Sequence, residues 1–203
     1  MNLLVATNNP GKRAEFRQLL AELAHRLVFP ADLGLALDVA ETGGTYTENA
    51  VLKAHAFAAA ARQRPATLPL LVLADDSGLE VDALDGAPGL HSARYTPGSD
   101  ADRHTTLLRH LQGVPPAERT ARFRCIIAIV TPADDLYTVE GICEGVIAAT
   151  PAGDGGFGYD PVFFVPEYGL TMAQLPADVK NHISHRARAA QAALPILRRL
   201  LLD

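Results

Sequence analysis

The chain has 203 residues, of which 48% are hydrophobic and 20% charged, the balance of an ordinary globular protein and not of a disordered or collagen-like one. That length suits one large domain or two lobes sharing a core, with one continuous domain the default, since single domains run to about 250 residues. A net charge of −5 argues against nucleic-acid binding, which needs a basic face, and means that a polyphosphate must be attracted by a local basic cluster, a divalent cation, or both.

Leu3-Leu4-Val5-Ala6 reads as a short buried strand, followed by the turn-prone Thr7-Asn8-Asn9-Pro10-Gly11 and then a helix. Phe16, Leu19, Leu20, Leu23 and Leu27 fall at helical offsets and predict one apolar stripe along that helix. After Gly43-Gly44, Thr47 can cap a second, Ala-rich helix reaching Ala61 and ending before Pro65. Leu70 to Ala74 is an unbroken apolar run, the mark of a strand covered on both faces, and Asp75-Asp76-Ser77-Gly78 turns the chain at its end. Ser99 and Asp102 form a capping-box start for a helix to about Leu111, with Gly113 and Pro115-Pro116 as stops. Residues Ala121 to Thr131 and Leu136 to Ala149 predict a long antiparallel hairpin around Pro132-Ala133-Asp134-Asp135. A glycine-rich loop leads to a strand at Val162 to Val165, and a last helix begins near Ser184 and runs to the end, kinked or interrupted at Pro195. Early strand–helix units followed by a hairpin predict a mixed α/β sheet flanked by helices.

No run approaches the roughly 18 apolar residues of a membrane span, and Met1-Asn2-Leu3-Leu4 lacks the basic start of a secretory signal, so a cytoplasmic protein with no membrane contact is expected. Cys125 and Cys143 have no metal-ligand spacing and read as buried free thiols.

The residues that carry chemistry gather in a few places. Thr7-Asn8-Asn9-Pro10-Gly11-Lys12 lies between a strand and a helix start, where unpaired N–H groups and the helix dipole favour phosphate and Lys12 adds a full charge. It is not a Walker P-loop, because the first glycine and the Ser or Thr after the lysine are missing; a plain Asn-Pro-Gly turn with a solvated lysine is the bland alternative. Asp75 and Asp76 point to opposite faces of their strand, so one carboxylate works while its neighbour supports. Mg²⁺ takes only one or two protein carboxylates, so Asp76 and one further acid suffice for it. Glu41, before Thr42-Gly43-Gly44, has the freedom to swing toward a metal, whereas Glu48 sits in a first helical turn, where a negative charge is favourable without any function. Phe157-Gly158-Tyr159-Asp160-Pro161 offers aromatic faces for a base and one carboxylate. Lys180, His182, His185 and Arg186 cluster near the start of the final helix and supply donors for a keto oxygen or a phosphate, His182 reading as a surface residue.

Taken in order, these stretches resemble the inosine triphosphatase family, the house-cleaning purine pyrophosphatases of the dITP/XTP type. The resemblance runs from Thr7–Lys12 through Glu48-Asn49-Ala50 with Lys53, Asp75 to Leu84, Pro88-Gly89, Ser92 to Tyr95, Gly155 to Pro161, Lys180 and Ser184-His185-Arg186. It implies an elongated mixed sheet with two lobes around a central nucleotide cleft, a homodimer, and Mg²⁺-dependent hydrolysis of ITP, dITP and XTP to monophosphate and pyrophosphate. By the same likeness Thr7, Asn8, Asn9, Pro10, Gly11 and Lys12 hold the triphosphate, with Ser77 beside the substrate. Asp76 binds Mg²⁺ and accepts a proton, Glu41 is a second metal-binding acid, and Lys53 faces phosphate as a catalytic lysine. Phe157, Gly158, Tyr159, Asp160, Lys180, His185 and Arg186 match base and nucleotide contacts. Pro195 is a departure, well beyond His185-Arg186. The alternatives are a Maf-like pyrophosphatase acting on other modified nucleotides and a non-catalytic nucleotide-binding regulator.

Overall fold

The computed structural model describes residues 1–64 and 69–202. The first apolar run forms β1 (Asn2–Val5), with Leu3, Leu4 and Val5 buried. The Asn-Pro-Gly turn then opens α1 (Pro10–Leu19): the Asn9 side chain caps it by accepting the Lys12 N–H at 3.0 Å, and Pro10 occupies a first-turn position where its missing N–H costs nothing. This helix is shorter than its apolar stripe predicts. Leu20 and Leu23 are buried around a 3-10 turn, Ala21–Arg26, and Leu27 belongs to β2 (Leu27–Val28), which pairs parallel with β1. A 3-10 turn keeps residues i and i+3 on one side, so the stripe outlasts the helix.

The second helix, α2 (Tyr46–Arg62), is capped by Thr45 and not by Thr47, because Thr45 stands three residues before Glu48 and closes a reciprocal capping box with it. Pro65, the expected stop signal, lies outside the described residues. The larger correction is β3 (Leu70–Val81): the Asp-Asp-Ser-Gly segment does not turn the chain but continues the strand. The strand is held in the sheet on both sides, and Leu79 and Val81 bury further apolar surface beyond the acids.

Ser99 and Asp102 start α3 (Asp100–His110) through the expected capping box. The hairpin forms as β4 (Thr120–Val130) and β5 (Leu136–Ile147), neighbours in the sheet joined by a connection too short for anything but an antiparallel return. Short strands β6 (Phe163–Val165) and β7 (Leu170–Thr171) follow, each antiparallel to its predecessor in the sheet. A helix not anticipated, α4 (Ala177–Ile183), precedes α5 (His185–Leu202). Pro195 does not interrupt α5; Ala189, Ala190 and Ala193 before it and Leu197 after it are buried in one core, which holds the helix across the lost hydrogen bond.

The result is the expected mixed α/β fold: one seven-stranded sheet in the order β2-β1-β3-β4-β5-β6-β7, parallel at β2-β1-β3 and antiparallel at β5-β6-β7. The chain divides into two compact units, Met1–Asp76 with Cys125–Gly141 and Arg186–Asp203, and Ser77–Arg124 with Ile142–His185. The first has a core of β1, β3 and β4 side chains such as Leu3, Leu73 and Ile127 packed with Phe16 of α1 and the alanine face of α5. The second packs Leu79, Phe123 and Phe163 with Leu107 of α3. Among the described residues no helix is long and apolar enough to cross a membrane. Cys125 and Cys143 are both buried, as expected.

Candidate active site

The two acids on β3 are both buried, and because they follow one another on a strand they meet different partners. Asp75 Oδ2 lies 2.8 Å from Lys12 Nζ and 3.3 Å from Arg186 Nη2. The same guanidinium, only 2% exposed, donates through Nη1 to Glu15 Oε2 at 2.6 Å. Burial pushes the Asp75 carboxyl up, but the Lys12 and Arg186 charges more than offset it and hold the group well below the usual carboxylate range. Arg186 is buried as well, yet Asp75 and Glu15 keep it charged beyond the ordinary arginine value. The Cys125 thiol, 3.8 Å from Asp75 Oδ2, is pushed up to about 12, by burial first and then by the Asp75 charge, so it stays a neutral neighbour.

Asp76 has a different shell. Its Oδ1 accepts from Lys53 Nζ at 2.8 Å, and that ammonium also donates to Glu41 Oε1 at 2.9 Å. Its Oδ2 accepts from Asn49 Nδ2 at 3.3 Å. Asn49 and Lys53 share one face of α2 because they are one turn apart. Glu41 does not hang on a free hinge, contrary to the sequence reading. The N–H of Gly43 is bound by Asn49 Oδ1 at 2.8 Å, and those of Gly44 and Thr45 by Glu48 Oε2 at 2.6 and 3.1 Å. Glu48 thus has the structural role expected of it. Burial raises the Asp76 pKa, Glu41 adds to the rise, and Lys53 opposes it. Lys53 is itself raised: burial lowers it, but the charges of Asp76 and Asp75 and its bonds to Asp76 and Glu41 prevail. One lysine between two acids is stabilised twice.

The N-terminal loop stands beside this cluster. Thr7 is buried and its Oγ1 accepts the Asn9 N–H at 3.2 Å, Asn8 Nδ2 donates to Leu37 O at 2.8 Å, and Asn8, Asn9 and Pro10 are exposed. Gly11 sits in the first turn of α1, and Lys12 turns its ammonium toward Asp75. The ion pairs form two groups, Lys12 and Arg186 with Asp75 and Glu15, and Lys53 with Glu41 and Asp76, linked by the charge of Asp75 acting on Lys53. The local basic cluster that the overall charge seemed to demand is balanced by acids.

The second unit assembles its own group. Lys180, on α4 and not at the start of the final helix, places Nζ 2.5 Å from Asp160 Oδ2 and 5.5 Å from the centre of the Phe157 ring. The same Asp160 oxygen accepts the Phe157 N–H at 2.8 Å. Gly156 has φ +70°, and a Cβ there would run into the Asp160 carboxylate, which explains the glycine before Phe157. Tyr159 is buried and donates to Ser92 O at 3.0 Å; burial raises its pKa above the ordinary phenol value. His185 is buried with its ring stacked on Phe123 at 4.6 Å between centres. His182 is exposed, and Ser77 is half-buried on β3. Adjacent in sequence, His185 and Arg186 belong to different units.

The structure thus brings Lys12, Glu41, Lys53, Asp76 and Arg186 into one network of the first unit, and Phe157, Asp160 and Lys180 into one group of the second. Sequence reasoning gave no role to Asn49 or Glu15. The spacing of Asn49 from Lys53 on one helix face was a usable signal for the first. Nothing local marks Glu15, whose partner lies at the far end of the chain.

Among the described residues no group of three or more His, Cys, Asp or Glu side chains forms a metal cage. Asp76 and Glu41 nevertheless direct one hard oxygen each at a single cation, the number Mg²⁺ takes from protein when phosphates and waters complete its octahedron, so the residues fit that ion.

A mixed α/β sheet that sets the β1–α1 loop beside a carboxylate–lysine network defines a protein of the open-sheet α/β class with a charged site at that loop. Within that class the chain belongs to the Ham1 family, which it matches over residues 3–196. It is similar to the dITP/XTP pyrophosphatase of Desulforamulus reducens, with 48% identity covering 100% of this chain and 98% of that protein. It is 51% identical to the dITP/XTP pyrophosphatase of Geobacillus kaustophilus, covering 92% of this chain and 89% of the relative. Among solved structures, the Ham1 protein of Staphylococcus aureus superposes with a TM-score of 0.83 at 38% identity, covering 98% of this chain and 99% of the other.

Proposed function

We propose that this protein is a Mg²⁺-dependent pyrophosphatase that hydrolyses the non-canonical purine triphosphates ITP, dITP and XTP, with one water each, to the monophosphate and pyrophosphate. The observation that carries the reading is the buried Asp76, raised in pKa and sharing Lys53 with Glu41. Such a carboxylate is a better proton acceptor than an ordinary aspartate.

A triphosphate brings several negative charges beside the buried carboxylates Asp75 and Asp76, which supports a divalent cation as added positive charge. Held by Asp76 and Glu41, Mg²⁺ would polarise phosphoryl oxygens and lower the pKa of a water. Asp76 takes the proton of the water that attacks the α-phosphorus, and the bond to the bridging oxygen breaks to leave pyrophosphate. Lys12 and Lys53 stabilise the charge on that leaving group, with N–H groups of the Thr7–Lys12 loop as further donors.

The base is assigned to Phe157, Gly158, Tyr159, Asp160 and Lys180, where stacking on an aromatic ring is worth about 1–3 kcal/mol without selecting among bases. Selection comes from polarity: hypoxanthine and xanthine carry a keto oxygen at C6 where adenine has an amino group, so donors such as Lys180 and His185 favour the former, while Arg186, expected in the same role, is instead engaged by Asp75 and Glu15. The resemblance further supports a homodimer working in the cytoplasm.

The deciding experiment is steady-state hydrolysis of a nucleotide panel with and without Mg²⁺, with products identified. ITP, dITP and XTP should each yield monophosphate and pyrophosphate in equal amounts only when Mg²⁺ is present. Release of orthophosphate, or a preference for ATP, would defeat the reading.

A further inference from the structure

Helix α3 enters the sequence reading only as a helix, yet its first turns grip the loop that follows the glycine-rich segment. Asp100 Oδ2 accepts the N–H of Gly158 at 2.8 Å. One turn on, His104 Nε2 lies 2.6 Å from the carbonyl oxygen of the same glycine. A carbonyl oxygen only accepts, so this ring carries its proton on Nε2. His104 is buried, with its ring centre 6.0 Å from that of Tyr159, and Arg103 pairs with the other oxygen of Asp100.

Gly158 has φ +61°, and a Cβ there would meet nothing within 4 Å, so backbone conformation and not space calls for glycine. A glycine in open space in the left-handed region has no side chain to anchor it; its two backbone polar groups are the available handles, and α3 holds both. The residue before it is Phe157, and two places after it comes Asp160.

We infer that His104 and Asp100 are positioning residues for nucleobase recognition, fixing Gly158 from both sides so that the Phe157 ring and the Asp160 carboxylate keep one presentation toward a purine. This deepens the function proposed above and rests on its assignment of Phe157–Asp160 to the base.

The test compares dITP and dATP hydrolysis by the wild type, His104→Ala and His104→Gln, the last of which retains an N–H donor able to reach the carbonyl. In His104→Ala the KM for dITP rises about tenfold with kcat changed less than about twofold, and the dITP over dATP ratio of kcat/KM falls by a similar factor, as expected for one lost buried hydrogen bond. His104→Gln returns KM to within about threefold of wild type. If the alanine variant does not fold, His104→Asn, a shorter amide, takes its place against His104→Gln. An unmoved KM, an equal loss on both nucleotides, or no difference between the amides overturns the inference alone. A wild-type protein that releases no pyrophosphate from dITP overturns the functional reading and the inference with it.

Discussion

Asp75 and Asp76 are consecutive residues of one strand, both buried, and physically they are opposites. Asp75 faces two cations, Lys12 and Arg186, one of them anchored by Glu15, and is held ionised below the usual range. Asp76 bonds to Lys53, which it shares with Glu41, feels the Lys12 charge as a smaller effect, and its pKa is raised. The difference teaches that a carboxylate saturated by cations is a structural charge, while one short of them has capacity left for a proton or a metal ion. Strand alternation alone produces the division, by sending neighbours to opposite faces.

The comparison is broken most directly at Asp76. Asp76→Asn should fold normally but lose about 10²–10⁴-fold in turnover with Mg²⁺ and dITP, as expected for a lost general base; a folded variant with near-normal pyrophosphate release removes Asp76 from the chemistry. At Asp75 the larger effect should be on stability. Asp75→Ala strips one of the two counter-charges from the buried Arg186 and the partner from Lys12, and urea unfolding should show a loss of about 3–5 kcal/mol. The sign of the pH dependence follows, because the folded pKa lies below the unfolded value of about 3.9. The contribution of Asp75 is complete above that value and disappears as pH falls through the folded one. Wild type and variant should therefore converge in stability toward strongly acid pH, and a gap that persists there would refute the ionic account.

Lys53 sharpens the contrast with a smaller effect. Lys53→Gln should reduce plateau turnover by about 10- to 10²-fold through lost stabilisation of the leaving group. It should also move the acid limb of the kcat/KM profile to higher pH, since removing Lys53, the larger of the two opposing charges, leaves only the Lys12 charge among the named causes to hold the Asp76 pKa down. A limb that stays in place, or moves down, would mean that Asp76 does not set it.

How much of this was legible in the sequence depended on whether the cause was local. The buried run of β1, the Ser99–Asp102 start of α3 and the hairpin of β4 and β5 follow from neighbouring residues, and each forms where expected. The continuation of β3 through its two acids was not legible, because strand neighbours override the turn chemistry of Asp-Ser-Gly. α4 is too short to show a helical period, and β7 has only two residues. At the site, Asp76 and Glu41 were singled out from their own surroundings in sequence and Lys53 from the family likeness, and the geometry that joins them through one ammonium came only with the fold. The Arg186–Glu15 pair, separated by 171 positions, leaves no trace in any window of sequence.

Helix α2 carries a final lesson in where rigidity comes from. Its opening turn stitches down the glycine pair before it through Glu48 and Asn49, while its next turn presents Lys53. Glu41, Asn49 and Lys53 thus ride on one jig, and the entropy of aligning them is spent when the chain folds and not again at every turnover. A stretch whose composition suggests slack is instead a splice, and lengthening it by one residue would shift Glu41 out of register while leaving the helix whole.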